Sequence, residues 1–359
     1  APAWAGAAQA WSDPLAITPP ANLIGSPDMM VDEQGWLHVA YTQAIGPQAG
    51  VYYLRSSDDG DAWQAPISAY SAGRQDRMLD HVRLAAASGA LHLAWVEYAF
   101  PETFPPLALV YQRSTDQGLT WAGLTRHEGP FDFPGLLATP DGDVHLAWSG
   151  TAESRQKYHG WSADAGRTWT APVVTLNVGG LQGWPALGVD GAGEVHLLQV
   201  SSGQSGNAGQ EQLFYQRWQG AGWSEPISIL GRLPAAPNHP LSPDLVINQG
   251  NRLHATLAHY VRTGGVWNYE VYAFGLQTGA AHAPATVELP TPQGLATSAA
   301  GIRQVPNANP LPTDGPTRPV VSDLGSPPVS GLDLGLWAGV LASAAVIVGA
   351  VLLATRQRH

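Results

Sequence analysis

The sequence predicts an all-β fold of repeated four-stranded units, followed by one apolar helix near its C-terminal end. Three observations predict it. The pattern Ser-x-Asp-x-Gly-x-[Thr/Ala]-Trp occurs at residues 56–63, 114–121 and 162–169. A second phrase, a Gly-x-[Leu/Val]-His run, occurs at 35–41, 89–95, 142–148 and 193–199, and more loosely at 251–257. Its histidines are His38, His92, His145, His196 and His254, 54, 53, 51 and 58 residues apart. Self-similarity at such a period marks supersecondary units that bury their faces on one another. The third observation is composition: 41 Gly, 30 Pro and 14 Trp against 13% charged residues suit many short strands joined by tight turns.

Each unit reads in the same order. A strand begins near a Pro or Asp, a Gly turn follows, and the His phrase forms the second strand. A Tyr-rich third strand leads into the Ser-x-Asp-x-Gly turn, and Trp-x-x-Pro opens the fourth. One such sheet cannot bury both faces alone, so the units are expected as radially arranged blades of a β-propeller over residues 11–284. Five blades are the favoured count and six the alternative. Residues 11–17 resemble the last strand at 223–229 and would complete a fifth blade; residues 281–284 also read as a fourth strand, which would free 11–17 for a sixth.

Residues 334–354 are 21 residues without a charge. At ~1.5 Å per residue they are long enough to cross a ~30 Å hydrocarbon core. Asp333 precedes them and Arg356 and Arg358 follow, which predicts a single-pass protein in the cell membrane, with tail 355–359 cytoplasmic and the propeller extracytoplasmic. Gly335, Gly339 and Ser343 recur at four-residue spacing, a face for close helix packing that suits partners in a membrane-protein complex. Residues 285–333 are punctuated by Pro306, Pro310, Pro312, Pro316, Pro319, Pro327 and Pro328 and read as a semi-rigid stalk, or else a strap over the propeller. Residues 1–10 end in Ala8-Gln9-Ala10, like the remnant of a secretory signal. A net charge of -11 with Lys157 as the only lysine excludes a nucleic-acid surface, and the lack of cysteine excludes disulfides and thiolate metal sites.

In the repeated turn, Ser56, Ser114 and Ser162 open the hairpin. The carboxylates of Asp58, Asp116 and Asp164 can accept from amides two and three residues on. Gly60, Gly118 and Gly166 supply positive φ, and Trp63, Trp121 and Trp169 cover the hairpin. These windows resemble the Asp-box, or BNR, repeats of the sialidase-like propeller superfamily, over about residues 26–284. The resemblance implies that the three aspartates belong to outer hairpins away from any catalytic face. Sialidases of that superfamily clamp the substrate carboxylate with three arginines, the first in an Arg-Ile-Pro motif, and use a Tyr nucleophile activated by Glu with an Asp acid/base. This chain has no Arg-Ile-Pro. Its first unit opens Ser26-Pro27-Asp28-Met29-Met30, and Arg83 alone is an arginine placed on an inner strand. The arginine triad is not carried over, and the reading leans away from an enzyme.

Another hydrolase would need two carboxylates across a funnel. Asp28, Asp80, Asp132 and Asp244 lie near the starts of inner strands, where turn and cap roles are the alternative. Glu97 and Tyr98 are adjacent, so on a strand they point to opposite faces. The five histidines share one register in different units, which favours a structural role over a metal. Arg74, Asp76, Arg77, Asp80 and His81 form a charge-dense stretch expected as a loop between the first two units. The loop at 98–107, with Phe100 and Phe104, is expected to expose aromatics for sugar or protein contact. The function expected is glycan or protein recognition, without cofactor or metal. An exo-sialidase-type glycoside hydrolase and an accessory subunit of a membrane complex are the alternatives.

Overall fold

The computed structural model describes residues 15–19, 21, 23–101, 103–151, 156–176, 183–202, 211–229, 238–263 and 266–283. The expected signal remnant, stalk, apolar helix with Gly335, Gly339 and Ser343, and tail lie outside the described residues. Among those described, no helix is long and apolar enough to cross a membrane.

The described chain is all β. Sheet one holds β1 (Asp28–Val31), β2 (Leu37–Gln43), β3 (Gly50–Ser56) and β4 (Ile67–Ser71). Sheet two holds β5 (Arg77–Ala87), β6 (Ala90–Ala99), β7 (Pro106–Ser114) and β8 (Ala122–Glu128). Sheet three holds β9 (Phe131–Ala138), β10 (Val144–Gly150), β11 (Lys157–Ser162) and β12 (Val173–Leu176). Sheet four holds β13 (Ala186–Val189), β14 (Val195–Ser202), β15 (Glu211–Arg217) and β16 (Ile227–Ser228), and sheet five β17 (Asn238–Asn248), β18 (Arg252–Thr263) and β19 (Val266–Gln277). Every sheet is an antiparallel meander in chain order. The first strand of each packs on the sheet before it: β5 on sheet one, β9 on sheet two, β13 on β9, and β17 on sheet four. This is propeller-type stacking, in which each blade covers its predecessor's face.

The burial pattern follows from that stacking. Second strands are covered on both faces, so β6 is buried almost throughout, while the outermost β8 and β16 are largely exposed. Alternation along β6 sends Leu93 and Trp95 into a cluster with Ala40, Val51 and Leu79, and Val96 and Tyr98 into one with Leu146 and Trp148. A third cluster joins Leu198, Val200 and Leu213 to Leu245, Leu253 and Leu257. The outward face of sheet five is different: Val246 is 57% and Val271 77% exposed. Residues 281–283 form no strand and lie beside the β17–β18 turn, where the Ala283 amide donates to the Gln249 carbonyl. Of residues 11–17, only 15–17 are described, and Ile17 packs on Val39, Tyr41 and Leu54 of sheet one.

The three Ser-x-Asp-x-Gly turns share one hydrogen-bond scheme. The serine hydroxyl donates to the aspartate (Ser56 to Asp58 2.6 Å, Ser114 to Asp116 2.7 Å, Ser162 to Asp164 2.8 Å) and accepts the glycine amide (3.0, 2.9 and 2.8 Å). Because the serine oxygen takes the near amides, the carboxylate reaches the amide four residues on, at Ala62, Thr120 and Thr168, and three residues on only at Arg167. The expected pattern of two and three residues is thus displaced. In two of the three turns the indole N–H closes the turn on the glycine carbonyl, Trp63 on Gly60 at 3.0 Å and Trp121 on Gly118 at 3.1 Å, whereas the Trp169 N–H makes no such bond. The second and third turns also dock on the preceding sheet. Arg55 donates to the Gln117 carbonyl at 2.9 Å, Trp121 sits edge-on to Tyr53, and Trp169 edge-on to Tyr111.

Candidate functional site

In each sheet the odd strands run alike, so the start of the first strand lies at the end opposite the Ser-x-Asp-x-Gly turn. At that end the inner strands are irregular. Register shifts fall between Asp80 and Arg83 of β5, opposite Asp132 of β9, and between Leu241 and Asp244 of β17. Each aspartate folds back on the next amide: Asp28 on Met29 at 3.1 Å, Asp80 on His81 at 2.8 Å, Asp132 on Phe133 at 2.7 Å and Asp244 on Leu245 at 2.8 Å. His81 and Phe133 follow at φ +58° and +53°, a left-handed conformation that non-glycine residues adopt at a cost. The irregularities in β5, β9 and β17 re-aim the side chains beside them.

Arg83 of β5 stands within the electrostatic reach of three of these aspartates. Burial holds its guanidinium below its ordinary range, against the opposing charges of Asp28, Asp80 and Asp244. Its Cζ lies over the Trp184 ring, 4.1 Å from the ring centre, and it donates to the Val82 carbonyl at 2.9 Å. Asp28 also accepts the Leu84 amide at 2.8 Å, and Asp80 the Ser26 amide at 3.0 Å, so sheets one and two are tied here. The candidates Arg83, Asp28, Asp80 and Asp244 are therefore brought together. Asp132 joins them through His81, whose Nδ1 lies 2.7 Å from its Oδ1. The Tyr98 hydroxyl donates to the same oxygen at 2.6 Å and lies 2.7 Å from Nδ1. Trp184 meets the His81 ring edge-on at 4.5 Å between centroids, and Phe133 stacks on it at 5.4 Å. For His81, burial favours the neutral form, yet the hydrogen bond and charge of Asp132 and the charge of Asp80 outweigh it, leaving its proton held more tightly than usual. Burial first, and Asp132 second, push the Tyr98 phenol well above its ordinary range.

The other sequence candidates lie elsewhere. Arg77, Asp80 and His81 belong to strand β5 rather than to a loop, because the strand's bulge accommodates charge; Arg74 and Arg77 both pair with Asp76, at 2.7 and 2.9 Å. Phe100 and Phe104 are half-buried and fold onto the cluster containing Tyr98 and Trp148, so they are not exposed as expected: apolar rings at the end of β6 gain more by covering that core. Glu97 points away from Tyr98, accepting the Tyr70 hydroxyl at 2.6 Å and pairing with Arg126 at 3.0 Å. Arg113 is directed to the Ala165 carbonyl and Arg217 to Glu194. Among the described residues no second arginine side chain is seen at Arg83.

The repeated histidines form internal bonds. Nδ1 of His38, His92 and His196 lies 2.6, 2.7 and 2.8 Å from the hydroxyls of Tyr53, Tyr111 and Tyr215, and His145 meets His159 at 3.0 Å; His254 is exposed. Asp190, Glu194 and His196 offer ligand atoms within 4.8 Å of one another. Their bonding repeats that of Asp32, His38 and Tyr53, and Glu194 is paired with Arg217, so the group reads as blade framework. Sequence reasoning missed the joining of His81, Tyr98 and Asp132, and missed Trp184. A signal existed: Asp80, Asp132 and Trp184 stand 12, 13 and 12 residues before their unit's histidine.

No family model and no curated protein matches this sequence. Among solved structures, a protein of unknown function from Dyadobacter fermentans is similar in fold, with a TM-score of 0.50 at 15% identity over 71% of this chain and 79% of that one. NanB sialidase from Streptococcus pneumoniae aligns at TM-score 0.41 and 14% identity, over 59% of this chain and 32% of its own. An α-L-arabinofuranosidase from Fusarium graminearum aligns at 0.44 and 12%, over 70% and 77%.

Proposed function

We propose that this chain is a glycan-recognition module of the Asp-box, sialidase-like kind, displayed outside the cell by its C-terminal apolar segment. The observation that carries the reading is the placing of Arg83 on Trp184 within the field of Asp28, Asp80 and Asp244. Carboxylates accept sugar hydroxyls and an indole offers an apolar ring face, whereas a cation whose charge is offset by nearby carboxylates is a poor clamp for a sugar acid. The ligand class favoured is therefore a neutral glycan. A sialic-acid hydrolase is disfavoured, since the arginines beyond Arg83 described above are committed to other partners.

The test is labelling of intact cells that express the full chain, using fluorescent N-acetyllactosamine and its sialylated form. Surface labelling by the neutral sugar, lost on Asp80→Ala and released into the medium on deletion of residues 334–359, is the expected result. Preference for the sialylated sugar, or absence of labelling by either, would sink the reading. Retention of the deleted form at the cell surface would sink the anchoring.

A further inference from the structure

We infer that His81 is the proton-carrying contact of the Arg83–Trp184 cluster: its Nε2 meets the bound glycan, and capture strengthens as the imidazole takes up a proton. The inference rests on the recognition reading above and adds its regulation. The geometry leaves Nε2 as the working atom. Nδ1 is occupied by Asp132 and Tyr98, at 2.7 Å from each. Nε2 makes no hydrogen bond among the described residues and is not sealed from solvent.

The ring is also held still. Phe133 stacks on one face, Trp184 meets its edge, and the Asp80 carboxylate fixes the His81 amide in the left-handed conformation. Asp132 is oriented by three donors on one oxygen: Tyr98, His81 and the Phe133 amide. With Nδ1–H directed at Asp132, a neutral ring presents Nε2 as a bare acceptor, and a protonated ring presents N–H. The charged groups around it are Asp132, Asp80 and Arg83, with Asp28 and Asp244 beyond Arg83. The carboxylates are acceptors, and Arg83 already lies against Trp184 and the Val82 carbonyl. Protonated His81 thus supplies the donor that a sugar oxygen would otherwise lack. Because the ligand favours the protonated form, affinity is fully present below the His81 pKa and falls as pH rises through it.

Two measurements test this on the full chain. The His81 imidazole is followed by NMR, assigned by its loss in His81→Asn, a side chain that tolerates positive φ. It should titrate above the ordinary histidine midpoint, and Asp132→Asn should move that midpoint down. Binding of N-acetyllactosamine is then measured at about pH 5.5 and about pH 8, with about tenfold tighter binding expected at the lower pH, the value of one charge-assisted hydrogen bond, and a flat profile in His81→Asn. Wild-type binding equal at both pH values, or a ring that does not titrate in this range, overturns the role of His81 and leaves recognition standing. Absence of binding at either pH overturns recognition, and the role of His81 with it.

Discussion

At the scale of single residues, the chain's one lysine is the most exacting. Lys157 is 2% exposed and its Nζ donates to Ser149 at 2.7 Å; Ser149 in turn donates to the Gly183 carbonyl at 2.8 Å. Burial lowers its pKa to about 7 from an ordinary 10.5. Between those values the unfolded chain binds more protons than the folded one, so folding stability contributed here rises with pH; below about 7 both states are charged and the burial cost stands in full. Lys157→Met removes the titration at nearly constant volume. Urea melts should show the wild type gaining about 2 kcal/mol on the variant between about pH 7 and about pH 9. Parallel profiles would mean that Lys157 does not titrate in that window. The repeated histidines belong to the same scale, and burial likewise pushes His92 and His145 down to about 4, which keeps them neutral beside Tyr111 and His159.

At the scale of elements, the Ser-x-Asp-x-Gly turn is both a hairpin and an inter-sheet joint. Its glycine carries φ +83° at Gly118 and +77° at Gly166. A Cβ there would also run into the Tyr53 ring and the Tyr111 hydroxyl of the preceding sheet. Gly35 has the same φ, +83°, with open space around it. Gly118→Ala and Gly166→Ala should each cost about 3 kcal/mol or more in urea melts, against about 1 kcal/mol for Gly35→Ala. Equal losses at the three positions would refute the joint. The hairpin was legible in the sequence because its donors and acceptors lie within four residues of each other. The joint was not, because Gly118 and Tyr53 are 65 residues apart and only sheet stacking brings them together. Strand β5 shows the same limit from the other side. Its charges read as a loop, since the bulge that lets a strand carry Asp80 and Arg83 has no local marker.

At the scale of the whole described fold, the repeat period made the stacked meanders legible, and alignment placed Asp28, Asp80, Asp132 and Asp244 at matching strand starts. What the sequence hid was Arg83 among three of them. Arg83 occurs once, in one unit, and no repeat logic says that aspartates from sheets one, two and five act on it, or that it lies over Trp184. The consequence is that one side chain feels carboxylates from both ends of the described array. Arg83→Met keeps the apolar stem over Trp184 but leaves Asp28, Asp80 and Asp244 without their cation. Like charges repel, so the variant should lose about 1–3 kcal/mol in low salt at neutral pH. Salt screens that repulsion, so the gap between variant and wild type should narrow as ionic strength rises from about 0.01 M to about 1 M. Thermal melts across that range decide it: a gap that stays constant with salt would mean Arg83 stabilises by packing on Trp184 alone, and the convergence of charge around it would then contribute nothing to the fold.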